Sequence, residues 1–310
     1  MSGREGTQAA AAQPSGSGYL LAGGAYAIWG LLPLYFRLLQ HVGPVEIVAQ
    51  RVVWSLALVL VLVAMRTGLP SLWAVLRNRR VIGALAVSAG LIATNWLVYV
   101  WAVHNGHVVA ASLGYFLNPL VNILLGVVVL GERLRRGQVI AIAVAAIGVA
   151  ILATAAVSTL WISLMLAVSF ALYGLVRKLT PVAPMRGLAA ETILLAPVAL
   201  AYLVWLAMYG RLAFGADIGT SALLVLAGGV TALPLLLFAM AAQLLPLVRL
   251  GILQYIAPIL QFMIGVAMLG EALSRAQIVS FALIWAGLIL FTVDALRAAK
   301  QERMLRAATA

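Results

Sequence analysis

Apolar runs of roughly 20 residues recur along almost the whole sequence, divided by short segments rich in Gly, Pro or charged residues. A helix needs about 20 apolar residues to cross the hydrocarbon core of a bilayer. With 65% hydrophobic and only 9% charged residues, the chain has too few polar side chains to cover a water-soluble fold. Because backbone in lipid must satisfy its own hydrogen bonds, the sequence predicts an all-α polytopic membrane protein.

The apolar runs divide into ten predicted transmembrane helices. They cover residues 19–39, 44–65, 80–103, 108–130, 137–155, 158–177, 186–208, 219–243, 247–269 and 274–296. Lys and Arg concentrate in the cytoplasmic segments of membrane proteins. If the N-terminus is cytoplasmic, 16 of the 20 Lys and Arg residues fall in cytoplasmic segments. Both termini are therefore predicted to face the cytoplasm.

Two segments of the chain are similar to each other. "NPLVNILLGVVVLGERLRRGQ" (118–138) and "APILQFMIGVAMLGEALSRAQ" (257–277) align at an offset of 139 residues. Other positions keep the same offset, which predicts a duplication. The matching pairs include Gly90 with Gly229, Pro119 with Pro258, Glu132 with Glu271, and Gly148 with Gly287.

Two copies of five spans predict an inverted repeat, since an odd number of crossings returns the second copy from the opposite face of the membrane. The predicted segments are a disordered cytoplasmic tail (1–18), a first five-helix repeat (19–155), a second, inverted repeat (158–297) and a cytoplasmic tail (298–310). Glu132 and Glu271 follow helix-ending glycines, where a carboxylate suits a helix cap or an ion pair at the membrane edge better than catalysis.

Three motifs resemble the EamA/RarD-type transporters of the drug/metabolite transporter superfamily: "AIWGLLPLYFR" (27–37), "NWLVYVWAVHNGHVVAASLGYFLNP" (95–119) and "SLGYFLNPLVNILLGVVVLGERLRRGQ" (112–138). The resemblance extends over residues 19–297. It implies a multi-pass protein of the bacterial inner membrane that works by alternating access. It also implies a cavity between the halves, lined by spans 1, 3, 4, 6, 8 and 9, with spans 5 and 10 peripheral. Known relatives include exporters of amino acids, aromatic ones among them, and of other amphipathic metabolites.

Polar side chains share one face of span four, because Tyr115, Asn118 and Asn122 are spaced i, i+3, i+7. Gln254 and Gln261 occupy the equivalent positions of span nine. Neutral amides bind amino or carboxyl groups without burying a charge, so these residues are candidate substrate ligands. The alternative is hydrogen bonding between helices, which amides also supply in membrane bundles.

Aromatic side chains and one amide complete the predicted substrate site. They are Trp29 on span one, Asn95, Tyr99 and Trp101 on span three, and Tyr173 on span six. An aromatic wall stacks on amphipathic solutes and attracts an ammonium group. Lipid packing or interface anchoring is the alternative for Trp101.

Proline within a helix frees a carbonyl group and favours a kink, which is useful to a hinge. The candidate hinges or kinks are Pro33, Pro119, Pro234 and Pro258. Two ionisable residues fall about two turns inside predicted spans: Arg51 is expected to reach the interface, and Glu191 is its equivalent in the second repeat.

No metal, cofactor or enzymatic activity is predicted. The sequence has no cysteine, no phosphate-binding glycine loop and no convergent set of acids and histidines; His104 and His107 alone make a poor metal site. The net charge of +12 is assigned to orientation and to anionic lipid rather than to nucleic acid.

The predicted function is export of small amphipathic metabolites, with amino acids favoured. The alternative is a drug or metabolite exporter of the same superfamily without amino-acid activity. Proton coupling and facilitated diffusion both stay open, because no predicted span carries an acid near its centre. The sequence does not give an oligomeric state.

Overall fold

A computed structural model describes residues 16–66, 68–130, 134–155, 157–245, 250 and 253–308. These residues form helices joined by short turns, with no β-strand among them. The helices are α1 (Gly16–Leu38), α2 (Pro44–Arg66), α3 (Leu69–Arg77), α4 (Arg79–His104), α5 (Val108–Leu130), α6 (Arg136–Ala155), α7 (Val157–Leu179), α8 (Pro184–Met208), α9 (Ile218–Leu244), α10 (Ile256–Met263) and α11 (Arg275–Ala308). A π-helical turn, Ile264–Met268, continues α10.

The polytopic, all-helical class predicted from the apolar runs is confirmed. Within the described residues, eight helices are long and apolar enough to cross a membrane, and two shorter apolar helices, Arg136–Leu152 and Ile256–Met268, occupy the fifth and ninth predicted spans. Most helix ends agree with the predicted ends within a few residues. Residues 1–15 of the predicted tail, Glu132, and part of the ninth predicted span lie outside the described residues.

Two differences from the predicted elements have simple causes. The loop expected between spans two and three contains α3, a nine-residue helix that is too short to give a membrane-span signal. Pro70 is its second residue, a position that proline favours because the missing N–H breaks no helical hydrogen bond there. The last helix, α11, continues to Ala308 through the segment predicted as a tail. This extension is rich in Ala, Lys, Arg and Glu, which are strong helix formers outside the membrane.

Side-chain caps and glycines fix the short connections. The Asn78 side chain accepts hydrogen bonds from the backbone N–H groups of Arg80 (3.2 Å) and Val81 (3.3 Å) and so starts α4. Asp217 starts α9 in the same way, accepting from the Thr220 N–H at 2.7 Å. Gly106 takes a positive φ of 69°, which lets the chain reverse between α4 and α5.

Helices from the two halves of the chain pack in matching combinations. Helix α1 packs against α9 and α10, and α7 packs against α4 and α5. Helices α2 and α8 contact each other, α2 also contacts α9, and α8 also contacts α4. The main partner of α6 is α11, and this pair touches the remaining helices only slightly. The core beside these contacts includes Phe36, Tyr99 and Leu166, from α1, α4 and α7.

Candidate functional site

Asn95 is buried where α4, α5 and α7 meet. Its Nδ2 group donates to the Leu166 carbonyl and to the Ser169 Oγ, both at 3.0 Å, and its Oδ1 accepts from the Tyr115 hydroxyl at 3.1 Å. All three of these bonds connect different helices, which is the alternative considered for amides in this bundle. The Asn95 amide N–H groups are thus already occupied, and substrate binding by Asn95 stays a prediction.

Tyr99 lies on the same side of α4, one turn further along. Its ring centroid is 5.6 Å from that of Tyr115 and 6.1 Å from that of Phe36, and the side chain is buried. The hydroxyl group has no hydrogen-bond partner among the described residues. Burying a hydroxyl without a hydrogen-bond partner is unfavourable, and buried polar groups are normally paired. The Tyr99 hydroxyl is therefore available to donate a hydrogen bond to a solute and to accept one from it.

The polar face predicted on α5 divides into three environments. Tyr115 is half-buried and bonded to Asn95, Asn118 is fully buried, and Asn122 is exposed. Neither the Nδ2 nor the Oδ1 atom of Asn118 has a hydrogen-bond partner among the described residues. Asn118 is therefore a fully buried amide with its whole polar capacity unused in this conformation.

The amides predicted on span nine also differ from each other. Gln261 is buried in α10, and its Nε2 group donates to the carbonyl oxygen of Trp29 at 3.0 Å, while its Oε1 has no partner among the described residues. Gln254 lies in the turn before α10 and is half-buried. The Gln261–Trp29 bond joins the two halves of the chain, and the Trp29 ring packs 6.1 Å from Phe238 on α9.

Tyr173 belongs to a polar cluster around Glu191. Glu191 is buried in α8, where it accepts hydrogen bonds from Ser88 (2.5 Å) and Tyr173 (3.5 Å) and lies 3.7 Å from the Nε of Arg177. This cluster connects α4, α7 and α8. The sequence placed Glu191 inside a span but did not reveal these partners, because they come from distant positions along the chain.

Arg51 is the main residue that the sequence prediction placed wrongly. Instead of reaching the interface, its side chain is buried, with only 4% of the residue exposed, because α8 and α9 pack over α2. Its Nε donates to the Thr231 hydroxyl at 3.0 Å, and its guanidinium lies 4.8 Å from the Trp96 ring and 5.2 Å from the Phe36 ring. Its Nη1 has no hydrogen-bond partner among the described residues.

The substrate role of Trp101 and the hinge role of the prolines stay predictions. Trp101 is near the end of α4, where its ring lies 5.2 Å from that of Trp161 and 5.9 Å from that of His107. Three of the predicted hinges are inside helices, and the fourth, Pro258, is in the first turn of α10, where a missing N–H breaks no helical bond. The three are Pro33 in α1, Pro119 in α5 and Pro234 in α9.

Two surface clefts of this conformation lie away from the residues of the candidate site. A cleft of about 340 Å³ between α2 and α9 is lined by Trp54, Ala57, Val225 and Gly229 among others. A second cleft, of about 440 Å³, lies at the start of α9, beside Asp217. Asn95, Tyr99, Asn118 and Gln261 are all nearly inaccessible. These four residues of the candidate site are therefore closed to solvent in this structure, whereas Asn122 is exposed.

The Glu271 side chain connects the second half of the chain to the first. It lies in the turn before α11, and its two carboxylate oxygens accept from the backbone N–H groups of Val108 (2.6 Å) and Val109 (2.9 Å) at the start of α5. Burial raises the pKa of this carboxyl above its ordinary value, while the two backbone hydrogen bonds oppose that rise. The role of a helix cap fits this geometry, and the capped helix is α5 rather than the one that follows in sequence.

The histidines considered for metal binding have other contacts. The two ring nitrogens of His104 lie 2.9–3.2 Å from the backbone carbonyl oxygens of Leu39, Val42 and Val100. The His107 ring lies 5.9 Å from the Trp101 ring, tilted by 37° against it. Among the residues that the structure describes, no group of three or more His, Cys, Asp and Glu side chains is placed to hold a metal ion.

Comparison with known proteins places this chain in a family. The EamA-like transporter family matches residues 16–154. The chain is 47% identical over 293 residues to the Protein RarD of Streptomyces exfoliatus, covering 93% of this chain and 91% of that protein. It is 44% identical over 286 residues to the Protein RarD of Escherichia coli (strain K12), covering 92% and 97%.

A solved crystal structure shares the fold. It superposes with a TM-score of 0.62 at 20% sequence identity, covering 89% of this chain and 97% of the other. The likeness at this identity concerns the fold alone, whereas the two RarD proteins are similar over nearly their whole length. The chain belongs to the EamA-like transporter family, as a RarD-type member of the drug/metabolite transporter superfamily and a multi-pass protein of the bacterial inner membrane.

Proposed function

We propose that this protein is a secondary transporter that exports small amphipathic metabolites, and that its substrates are amino acids, aromatic ones included. It has no enzymatic activity in this proposal. Transport proceeds by alternating access of two inverted five-helix repeats, residues 19–155 and 158–297, with the tails 1–18 and 298–310 in the cytoplasm. The matching contacts of α1 with α9 and α10, and of α7 with α4 and α5, support the repeat.

The observation that carries the proposal is a set of buried polar atoms without partners. The Tyr99 hydroxyl, both polar atoms of the Asn118 amide and the Oε1 of Gln261 make no hydrogen bond to any described residue. Burying a polar group without a hydrogen-bond partner lowers the stability of the folded protein by about one to several kcal/mol. A transported solute with amino and carboxyl groups would supply the missing partners, and nearby aromatic rings would pack on its apolar part.

Because these atoms are closed to solvent, the proposed cycle requires α4, α5 and α10 to separate from neighbouring helices on one side at a time. Pro33, Pro119, Pro234 and Pro258 are the proposed points of bending. The proposed ligands are the residues of the predicted site. They are Trp29, Asn95, Tyr99, Trp101, Tyr115, Asn118, Asn122, Tyr173, Gln254 and Gln261.

Counterflow in proteoliposomes tests the substrate class. Liposomes that contain the purified protein and unlabelled amino acid should accumulate labelled phenylalanine, and liposomes without protein should not. Failure of every amino acid in a panel to exchange would refute the amino-acid proposal. An imposed pH gradient, applied in the same liposomes, distinguishes proton coupling from facilitated diffusion.

Replacing Tyr99 by phenylalanine tests the site itself, because this change removes only the unpaired hydroxyl and keeps the ring. We expect Y99F to fold as stably as the wild type and to transport more slowly. Y209F is the matched control, since Tyr209 is exposed at the end of α8. Equal transport by Y99F, Y209F and the wild type would count against a role for the Tyr99 hydroxyl.

Export of drugs or other metabolites without amino-acid activity is the second candidate. Aromatic contacts such as Tyr99–Tyr115 and Trp29–Phe238 favour it, because such surfaces bind amphipathic molecules of many kinds. Counterflow with an amphipathic cation such as tetraphenylphosphonium separates the two. Exchange of the cation together with no exchange of any amino acid would support the second candidate.

A further inference from the structure

Arg51 carries a buried positive charge that the described part of the chain leaves without a counter-charge. The carboxylates that form ion pairs within that part are Asp294, with Arg135, and Glu191, with Arg177. Taking a guanidinium out of water without an anionic partner costs several kcal/mol, and such a group within a membrane span marks a functional site by default. An anion from outside the described residues that bound to Arg51 would therefore lower the free energy of the folded bundle.

The surroundings of Arg51 prepare it for such a partner. The Thr231 hydroxyl donates to the Ala227 carbonyl at 2.7 Å, and its oxygen accepts from the Arg51 Nε at 3.0 Å. This bond fixes the plane of the guanidinium while Nη1 stays unpaired. The rings of Phe36 and Trp96 hold the flat guanidinium by cation–π contact, which stabilises the charge but uses none of its N–H groups.

Three tyrosine hydroxyl groups belong to rings that pack on or next to Phe36, whose ring the Arg51 guanidinium contacts. The Tyr35 and Tyr99 rings lie 5.2 Å and 6.1 Å from the Phe36 ring, and the Tyr115 ring lies 5.6 Å from the Tyr99 ring. Two of these hydroxyls have partners: that of Tyr35 donates to the Leu223 carbonyl at 2.5 Å, and that of Tyr115 donates to Asn95. The third, that of Tyr99, is unpaired and available as a second donor.

We propose that Arg51 binds the carboxylate group of the transported substrate through its free Nη1, with Thr231 orienting the guanidinium and the Tyr99 hydroxyl as a second donor. This inference rests on the proposed transport function and specifies it further: substrates carry an anionic group. A guanidinium suits a carboxylate because its N–H groups form charge-assisted hydrogen bonds in one plane. The same charge repels an amphipathic cation that lacks a carboxylate.

The location connects substrate binding to the two halves of the chain. Arg51 is on α2, in the first half, and Thr231 is on α9, in the second. A carboxylate that bonds to Nη1 would therefore sit against a contact between the halves. Alternating access requires that a bound solute interact differently with the two arrangements of the halves, and this position allows it.

Three related probes separate the groups that a substrate offers. Phenylalanine has both an ammonium and a carboxylate group, 3-phenylpropionate has only the carboxylate, and phenethylamine has only the ammonium. We expect the full-length protein in proteoliposomes to exchange phenylalanine and 3-phenylpropionate and not phenethylamine. Replacing Arg51 by methionine should weaken the apparent affinity for both carboxylates by roughly 10- to 100-fold, the loss expected for a charge-assisted hydrogen bond.

Two further variants control for folding and for net charge. R211M removes a positive charge from Arg211, an exposed residue stacked over Trp205 outside this cluster, and should exchange the probes as the wild type does. R51K keeps the positive charge but loses the planar guanidinium. It is the second test variant if R51M misfolds, and it should bind carboxylates more weakly than the wild type. Thermal unfolding of each purified variant identifies any that misfold.

The outcomes separate this inference from the amino-acid proposal. Exchange of 3-phenylpropionate that depends on Arg51, without exchange of any amino acid in the panel, would refute the amino-acid proposal and support the carboxylate site. Exchange of phenylalanine at the wild-type rate by folded R51M or R51K would overturn the carboxylate site and leave the amino-acid proposal standing. Equal exchange of phenethylamine and phenylalanine by the wild type, or no exchange of either carboxylate, would also overturn it.

Discussion

Gly148 of α6 and Gly287 of α11 lie in one helix–helix contact, each against the backbone of the other helix. A methyl group on Gly148 would come within 2.8 Å of the Ser280 carbonyl oxygen, and one on Gly287 within 2.7 Å of the Ala141 carbonyl oxygen. The two glycines are also paired by the 139-residue offset in the sequence. Matching positions that meet at a mutual contact are what a two-fold relation between repeats requires, which adds support to the proposed inverted repeat.

Replacing either glycine by alanine should weaken the α6–α11 pair. Small residues let membrane helices approach closely, and here the neighbouring atoms are backbone, which cannot move aside cheaply. Each of G148A and G287A should lower the free energy of unfolding by about 1–3 kcal/mol, measured by unfolding in mixed micelles.

Gly83 provides the matched control for this change. It lies in α4, exposed, with no atom within 4 Å of the position that a methyl group would occupy. G83A should leave stability unchanged or raise it by up to about 1 kcal/mol, because alanine loses less backbone entropy than glycine in a helix. A loss of stability in G83A equal to that in G148A would contradict close packing as the cause.

The helices themselves were predictable because each depends on a local run of apolar residues. α3 was missed because the apolar residues of Leu69–Arg77 form a segment too short to resemble a membrane span. The proposed duplication could also be predicted from the sequence, since it depends on equal spacings rather than on contacts. What the sequence could not give is the partner of any buried polar group, such as Arg51 or Asn95, because those partners lie tens to hundreds of residues away.

The bond between Asn95 and Tyr115 should contribute a measurable coupling energy to stability. The two side chains join α4 to α5 at 3.1 Å inside the bundle. Hydrogen bonds between membrane helices are worth about 0.6 kcal/mol on average and up to about 1.7 kcal/mol. A double-mutant cycle of N95A with Y115F, followed by unfolding in mixed micelles, should give a coupling energy in this range.

A second cycle controls for changes that spread through the fold. N95A combined with Y209F should be additive, because Tyr209 is exposed at the end of α8 and Asn95 makes no described contact with it. If the Asn95–Tyr115 cycle is additive as well, the bond contributes nothing to stability. Asn95 would then be free to rearrange toward a solute.

Asn118 illustrates where the sequence prediction and the structure meet. Spacing alone placed it on a polar face, but Tyr115 and Asn122 of the same face turned out half-buried and exposed, and only Asn118 fully buried. The spacing of residues along a helix shows which of them share a face. It does not show which neighbouring helices cover that face at each turn. The unpaired state of the Asn118 amide could be learned only from the packed bundle.

Replacing Asn118 by leucine should separate function from stability. Leucine has a similar volume and no polar atoms, so it removes the cost of a buried, unpaired amide, roughly 1–3 kcal/mol. N118L should therefore be as stable as the wild type or more so, while phenylalanine counterflow falls roughly tenfold or more, the effect of losing about 1.4 kcal/mol of binding. Lower stability together with unchanged counterflow would show that Asn118 serves packing alone.

The Glu271 cap of α5 predicts a particular dependence of stability on pH. Because burial raises the pKa of this carboxyl in the folded protein above its ordinary value of 4.5, the folded state holds the proton to higher pH than the unfolded state does. The group's contribution to stability is therefore fully present below the ordinary value and is lost as pH rises through the raised value. E271Q cannot titrate and retains one oxygen to accept from Val108 or Val109. From about pH 4 to about pH 8, the melting temperature of the wild type should fall relative to that of E271Q. A wild-type melting temperature that instead rises relative to E271Q over this range would mean that the two backbone hydrogen bonds outweigh burial at Glu271.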